Sequence, residues 1–325
     1  MRALVTGATG FVGSHLAEAL TARGDTVLAL ARRDSAHAGL KALGVTPVSG
    51  SLENERSLDA ALDGVEVVYH VAGLTAARSE AEFFAVNEGG TRRLLEAVRR
   101  AAPALVRFVY VSSQAALGPS PRGIALTEDA ECRPVTAYGR SKLAGELAVR
   151  GAGLPWSVVR PPAVYGPRDR EFLRLFRIAQ HGIAPVFGAG AQTLSLVYVE
   201  DLAPAIALAG THEAARGQIL HAAHAEVVTS RDVARAAGAA LGRSTVVLPV
   251  PGFAARPIVW AIGRAAAVTG RRTVVDTDKL AEFLAPSWVL SVAKAERQLG
   301  WTAGVALAEG MARTAAWYRK EGWLN

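Results

Sequence analysis

The sequence predicts an α/β fold, a doubly wound parallel sheet with a smaller, discontinuous C-terminal lobe. Three observations carry that expectation. Short apolar runs alternate with stretches of helical periodicity, glycines cluster where the first run meets the first helical stretch, and the alternation weakens after Gly166.

In chain order, "ALVT" (Ala3–Thr6), "TVLALA" (Thr26–Ala31), "VEVVYHVA" (Val65–Ala72), "VRFVYVSS" (Val106–Ser113) and "WSVVRP" (Trp156–Pro161) are short and apolar. Strands covered on both faces read this way. Between them, "VGSHLAEALTARG", "ERSLDAALDG" and "EFFAVNEGGTRRLLEAVRRAAP" place apolar residues at helical spacing, with Gly or Pro at their ends. Right-handed crossovers then set the strands parallel. Beyond Gly166, "RDREFLRLFRIAQHG" reads as a helix, "STVVLPVP" as a strand and "AEGMARTAAWYRKEGW" as a terminal helix. "TLSLVYVEDLAPAIALAG" and "GQILHAA" read as a strand, a helix and a strand returning to the main sheet. The expected division is residues 1–165 with 194–222 as one domain, and 166–193 with 223–325 as a second lobe.

Half of the 325 residues are hydrophobic, enough to bury one large core and an elaborated lobe. The net charge of +7 comes from scattered arginines rather than basic tracts, so no nucleic-acid partner is expected. A single cysteine, Cys132, excludes an internal disulfide and a multi-cysteine metal site, and makes the cytoplasm the expected compartment. No signal peptide is expected at the N-terminus. Arg256, Pro257 and Arg264 interrupt "FAARPIVWAIGRAAAVTG" (Phe253–Gly270), which argues against a spanning helix. That stretch reads as an amphipathic helix covering the core, the other readings being a helix that lines an apolar pocket or touches a membrane surface. His221 and His224 have no third ligand nearby in sequence, so no metal is expected.

"LVTGATGFVGSHL" puts Gly7, Gly10 and Gly13 in the turn from the first strand into the first helix. Small residues there let backbone approach a pyrophosphate, and the helix N-terminus offers N–H groups and a partial positive charge. A Rossmann-type dinucleotide site follows from that placement. The GxxGxxG spacing and "TGATGFVG" resemble the extended short-chain dehydrogenase/reductase superfamily of epimerases, dehydratases and reductases. The resemblance runs through nearly the whole chain.

"TAYGRSKLAGE" holds Tyr138 and Lys142 four residues apart, hence on one helix face. Upstream, "VYVSSQAALG" ends a predicted strand with Ser112 and Ser113, where doubly wound folds collect ligands. A carbonyl that receives hydride at carbon must receive a proton at oxygen, and a phenol is a poor proton exchanger at neutral pH unless a neighbouring cation favours its ionised form. Lys142 is the expected cation, Tyr138 the acid, and the Ser113 hydroxyl the group that orients the substrate oxygen. The resemblance implies this Ser-Tyr-Lys triad, with Lys142 also holding the nicotinamide ribose.

By the same resemblance, cofactor contacts fall at Gly7, Thr9, Gly10, Phe11, Val12, Gly13, Ser51, Leu52, Ser112, Tyr138 and Lys142. Ala72 and Gly73 of "VYHVAG" and Pro161 and Val164 of "RPPAVYGPRD" complete them. Asn87 of "NEGGTRRLLEA" ties the central strands together in the family, and His70 reads as structural. Substrate contacts are implied at Leu74, Gln114, Tyr165 and Leu194. A homodimer is implied through the "NEGGTRRLLEAVRR" and "YGRSKLAGELAVR" helices.

An acid at the end of the second strand would hold the ribose hydroxyls of NAD, whereas a cation accommodates the 2′-phosphate of NADP. In "TVLALARRDSA" the acidic position falls at Ala31, followed by Arg32 and Arg33, so NADP(H) is the expected cofactor. An ordinary solvated loop face is the competing account of the two arginines. Ser51 of "GSLEN" stands where many relatives carry an adenine-binding aspartate.

Sugar-nucleotide enzymes of this family carry an arginine for the diphosphate in the segment that here reads "QTLSLVYVED", where Leu194 and Ser195 replace Arg and Asp. A leucine cannot neutralise a pyrophosphate. "LSLVYVEDLA", "LPVPGFAARPIVWAIG" and "LAPSWVLS" instead resemble 3β-hydroxysteroid dehydrogenase and dihydroflavonol reductase-like enzymes. Trp260, Trp288 and Leu194 are candidate pocket walls, though each taken singly is better accounted for as core. The expected function is an NADP(H)-dependent oxidoreductase, a ketone or aldehyde reductase or secondary-alcohol dehydrogenase, on an apolar or aromatic small molecule. The alternatives are a sugar-nucleotide epimerase or dehydratase with internal redox cycling, and an NADP-sensing protein without catalysis.

Overall fold

Buried apolar strands with no polar face to show to water must be covered on both sides, and the chain does this in the order in which its elements appear. The computed structural model describes residues 1–32, 37–251, 257 and 279–324. Arg33, Trp260 and nearly all of Phe253–Gly270 lie outside the described residues. The strands are β1 (Arg2–Thr6), β2 (Thr26–Ala31), β3 (Thr46–Ser49), β4 (Val67–His70), β5 (Arg107–Val111), β6 (Trp156–Arg160), β7 (Ala163–Tyr165), β8 (Ile183–Phe187), β9 (Thr193–Tyr198), β10 (Gln218–His221), β11 (Val227–Thr229), β12 (Val246–Val250) and β13 (Ser287–Trp288). Seven of them form one sheet in the order β10-β6-β5-β4-β1-β2-β3, parallel throughout. The order reverses between β1 and β4, and ligands of such sheets collect beyond the strand ends at that crevice.

The helices of this half are α1 (Phe11–Ala22), α2 (His37–Ala42), α3 (Glu55–Ala61), α4 (Glu80–Phe84), α5 (Thr91–Ala101), α6 (Gln114–Leu117) and α7 (Ala137–Arg150). They are followed by α8 (Glu171–Ala179), α9 (Val199–Thr211), α10 (Ser230–Ala240), α11 (Lys279–Leu284), α12 (Ala293–Leu299) and α13 (Leu307–Lys320). Alternation along β1 sends Val5 to one face of the sheet and Leu4 to the other. Val5 packs with Leu16 and Leu20 of α1 and Leu202 and Ile206 of α9. Leu4 packs with Leu58 of α3 and Leu94, Leu95 and Val98 of α5.

The second lobe departs from the sequence reading at β9, and it contains β8, β11 and β13, which that reading lacks. β9 does not return to the main sheet, although α9 and β10 do. Three-residue β7, too short to register as a periodic run, pairs β9 in parallel, with Ala163 opposite Leu196 and Tyr165 opposite Tyr198. β9 also pairs β11 and β13, and Leu196 and Tyr198 join Phe176, Met311 and Tyr318 in a separate core under α8, α10 and α13.

Candidate active site

Gly7 leaves β1 with φ +76°, a conformation that L side chains rarely adopt, and a Cβ there would lie 2.7 Å from the Ala72 nitrogen. A Cβ on Gly13 would lie 2.1 Å from the Gly7 carbonyl oxygen, so α1 can start this close to β1 only with glycine. Gly10 caps α1 without a side chain, and its first turn carries no acid. The unshielded N-terminus of α1, beside exposed Thr9 and Gly10, fits a dinucleotide pyrophosphate. Phe11 and Val12 are half-buried in the first turn.

β4 ends beside this turn. The Ala72 N–H donates to Thr6 Oγ1 at 3.2 Å, and a Cβ on Gly73 would lie 3.0 Å from Asn87 Oδ1 and 3.7 Å from Lys142 Nζ. Asn87 sits in a π-helical turn, 85–90, between α4 and α5. Its Oδ1 accepts from Leu74 N at 2.8 Å, while Nδ2 donates to the Leu74 carbonyl at 3.1 Å and to Ser141 Oγ at 2.9 Å. Asn87 therefore clamps the loop after β4 to α7.

The three catalytic candidates come together at the carboxyl end of β5. Ser113 caps α6, and its Oγ accepts from Ala115 N at 3.1 Å. Thr136 caps α7 by accepting from Gly139 N at 3.1 Å, which starts the helix one residue before Tyr138. Burial pushes the Tyr138 phenol up to about 12; a hydrogen bond from Ser113 pulls it down, and the Glu282 carboxylate adds to the rise. One turn on, buried Lys142 donates from Nζ to the Val111 carbonyl at 2.7 Å and lies 4.3 Å from the centroid of the Tyr110 ring. Burial brings Lys142 down to about 7, opposed by the charge of Glu146. In this arrangement Lys142 is directed at β5, and Tyr138 is shifted toward its protonated form.

Beneath the triad lies a buried ionic cluster. Glu146 Oε1 pairs with Arg160 Nη2 at 2.6 Å, and Oε2 accepts from Arg160 Nε at 3.0 Å and Ser112 Oγ at 3.1 Å. Arg160 also reaches Cys132 Sγ at 3.3 Å. Sequence reading missed this pair. The signal was present, because Glu146 continues the Tyr138–Lys142 face by another four residues, and Arg160 is a charge at the end of a mostly apolar, buried strand.

His70 occupies a structural position, between Thr6 Oγ1 at 2.7 Å and Thr91 Oγ1 at 2.9 Å. Burial holds His70 and His221 at about 3. Both are neutral when folded, so below about 6.5 protons bind the unfolded chain first. Stability is then lost as pH falls from about 6.5 toward 3. Asp169, raised to about 6 by burial, offsets part of this below its own value, whereas Lys142, brought down to about 7, adds to the loss between pH 7.5 and pH 6. Denaturant unfolding at pH 7.5 and pH 6 should therefore show a loss of about 1 kcal/mol per histidine. Substituting His221→Gln should remove one such increment; an unchanged slope would refute the assignment.

The remaining predicted residues are distributed. Arg32 is exposed just past buried Ala31 at the end of β2. Ser51 is half-buried, with its N–H on Ser57 Oγ at 3.2 Å, and Leu52 is in the core. Pro161 accepts from the Gln114 N–H at 2.8 Å, and the buried Gln114 Nε2 has no protein partner among the described residues. Leu74 packs beside Tyr138 and Phe83, while Val164 is half-buried against the main core. Tyr165 belongs to the core of the second lobe, against Tyr198 and Phe172. Leu194 pairs with Trp288 across β9 and β13, and Trp288 Nε1 donates to the Glu282 carbonyl at 2.9 Å. Glu282, another group that sequence reading missed, accepts from Thr136 Oγ1 at 3.1 Å, placing α11 at the start of α7.

Comparison with known proteins identifies what the whole chain is similar to. The chain is 35% identical over 325 residues to the ceramide reductase of Caulobacter vibrioides, covering 98% of this chain and 95% of that one. It is 42% identical over 179 residues to sterol demethylase protein B of Methylococcus capsulatus, covering 52% and 53%. Its fold matches that of MoeE5, solved with UDP-glucuronic acid and NAD, at a TM-score of 0.78 and 26% identity over 99% of this chain and 100% of that one. Residues 3–223 match the NAD dependent epimerase/dehydratase family, and the chain belongs to that family.

Proposed function

We propose that the protein is an NADP(H)-dependent carbonyl reductase, or the corresponding secondary-alcohol dehydrogenase, for an apolar, lipid-like substrate. The observation that carries this reading is the hydrogen-bonded Ser113–Tyr138 pair at the carboxyl end of β5, with Lys142 one turn further along α7. When bound, the nicotinamide supplies hydride to the carbonyl carbon or accepts it from the alcohol.

The chain's own residues handle the oxygen. Tyr138, held at about 12, is protonated at neutral pH and so suits delivery of its proton from Oη to a carbonyl oxygen. Ser113 Oγ–H donates to that same oxygen and stabilises the charge that develops there. Lys142, at about 7, titrates in the working range and holds a cation beside Gly73 and the cofactor cradle.

Leu194 in place of a diphosphate-binding cation, and the near full-length similarity to a ceramide reductase, support an apolar substrate over a nucleotide sugar. Arg32 at the end of β2 supports NADPH. Both points are tested by incubating the enzyme with NADPH or NADH and a panel comprising 3-ketoceramide, a 3-ketosteroid, an aromatic ketone and UDP-glucose. Net NADPH oxidation with the lipid ketones is expected. UDP-glucose epimerised without net cofactor turnover would favour the sugar-nucleotide reading instead. Arg32→Ala should weaken NADPH by about tenfold or more while leaving NADH nearly unchanged; equal losses would return Arg32 to a solvated surface.

A further inference from the structure

The β8–β12 ribbon is apolar on both faces. Its strands pair in parallel, with Val246 opposite Ile183, Leu248 opposite Pro185 and Val250 opposite Phe187. Ala184 and Val186 turn inward against Ala234 of α10. Alternation then places Ile183, Pro185, Val246 and Leu248 together on the outward face, where a solvated ribbon would carry polar side chains. Ile183, Val246 and Leu248 are 41%, 60% and 43% exposed. A contiguous apolar face of this kind marks an interaction surface.

The charges that flank the two strands in sequence are positive, although Arg174 pairs with Glu171 at 3.5 Å and Glu282 lies on α11, whose Leu280 packs against Phe187 and Val250. No aspartate or glutamate occurs from residue 172 to 199 or from 233 to 251, whereas Arg174, Arg177, Arg235 and Arg243 do. Arg177 and His181 are exposed just before β8, and Arg243 is exposed just before β12. A second copy docked through this face about a two-fold axis would set these cations against their own equivalents. An anionic bilayer satisfies both features at once, because apolar side chains enter the headgroup boundary while arginines meet lipid phosphates.

We propose that the outward face of the β8–β12 ribbon is a peripheral docking surface for anionic phospholipid membranes. No helix among the described residues is long and apolar enough to cross a membrane, so the contact is with one leaflet. The docking surface stands on its own residues and does not depend on the reductase reading, although an enzyme that takes lipid ketones would meet them there.

The test is co-sedimentation of the full chain with vesicles of equal parts phosphatidylglycerol and phosphatidylcholine, and with phosphatidylcholine alone. Binding to the anionic vesicles, released by high salt, is expected. Val246→Glu/Leu248→Glu should lower it by about tenfold or more, as should Arg177→Glu/Arg243→Glu, which leaves the ribbon's packing untouched. NADPH turnover of a dissolved ketone should be unchanged in both variants, so a failure of the reductase reading would register separately. Absence of vesicle binding, equal binding by the variants, or a change from dimer to monomer in their place would overturn the proposal.

Discussion

Replacing Tyr138 with phenylalanine should lower kcat by about 10²–10⁴-fold, the range associated with loss of a positioned proton donor. The variant removes Oη alone. The ring keeps its contact with Phe83, 6.0 Å between centroids, so the fold and the nearby Leu74 and Ala137 cluster should persist. Cofactor affinity should stay near wild type, because the glycine cradle belongs to β1 and α1. Single-turnover NADPH oxidation and a separate NADPH titration distinguish these effects. Ser113→Ala should slow the same step less, since one hydrogen bond to the oxygen is lost while the proton source remains. A Tyr138→Phe enzyme with wild-type kcat would remove the phenol from the mechanism.

What the sequence disclosed, and what it did not, follows from the range of each signal. The strands of the parallel sheet are local runs without a polar face, so β1, β2, β4, β5 and β6 are legible as written. β7, β11 and β13 have three, three and two residues, too few to show a period, and their partners are set by tertiary contacts. That is why β9 read as a strand of the main sheet. Gly7, Gly10 and Gly13 were legible because glycine is costly to replace where backbone meets backbone. Tyr138 and Lys142 were legible because helical spacing brings them to one face. The direction in which Lys142 reaches was not, because the Val111 carbonyl that receives it belongs to another element. Tyr165 shows the same limit, since its place in the core of the second lobe depends on α13, whose Gly310 lies against the Tyr165 hydroxyl.

The second large effect concerns stability. Glu146→Ala should destabilise the protein by about 3–5 kcal/mol, the range for removing one partner of a buried ion pair. Both side chains are essentially inaccessible, Glu146 at 0% and Arg160 at 1%. Truncation leaves the Arg160 guanidinium desolvated, with Cys132 Sγ its remaining hydrogen-bond partner among the described residues, while Ser112 Oγ loses its acceptor. Substituting both partners, Glu146→Leu with Arg160→Met, should recover much of the loss, because apolar side chains of similar volume need no compensating charge. Urea unfolding of the two single variants and the double variant closes that cycle, and additive losses would show that the pair is not coupled. The double variant also isolates what the carboxylate does for chemistry. Glu146 lies one turn beyond Lys142 and opposes the effect of burial on its ammonium. Without that charge, Lys142 should lose its proton at lower pH, so the limb of the pH–rate profile that follows Lys142 should move to lower pH even where the fold is restored.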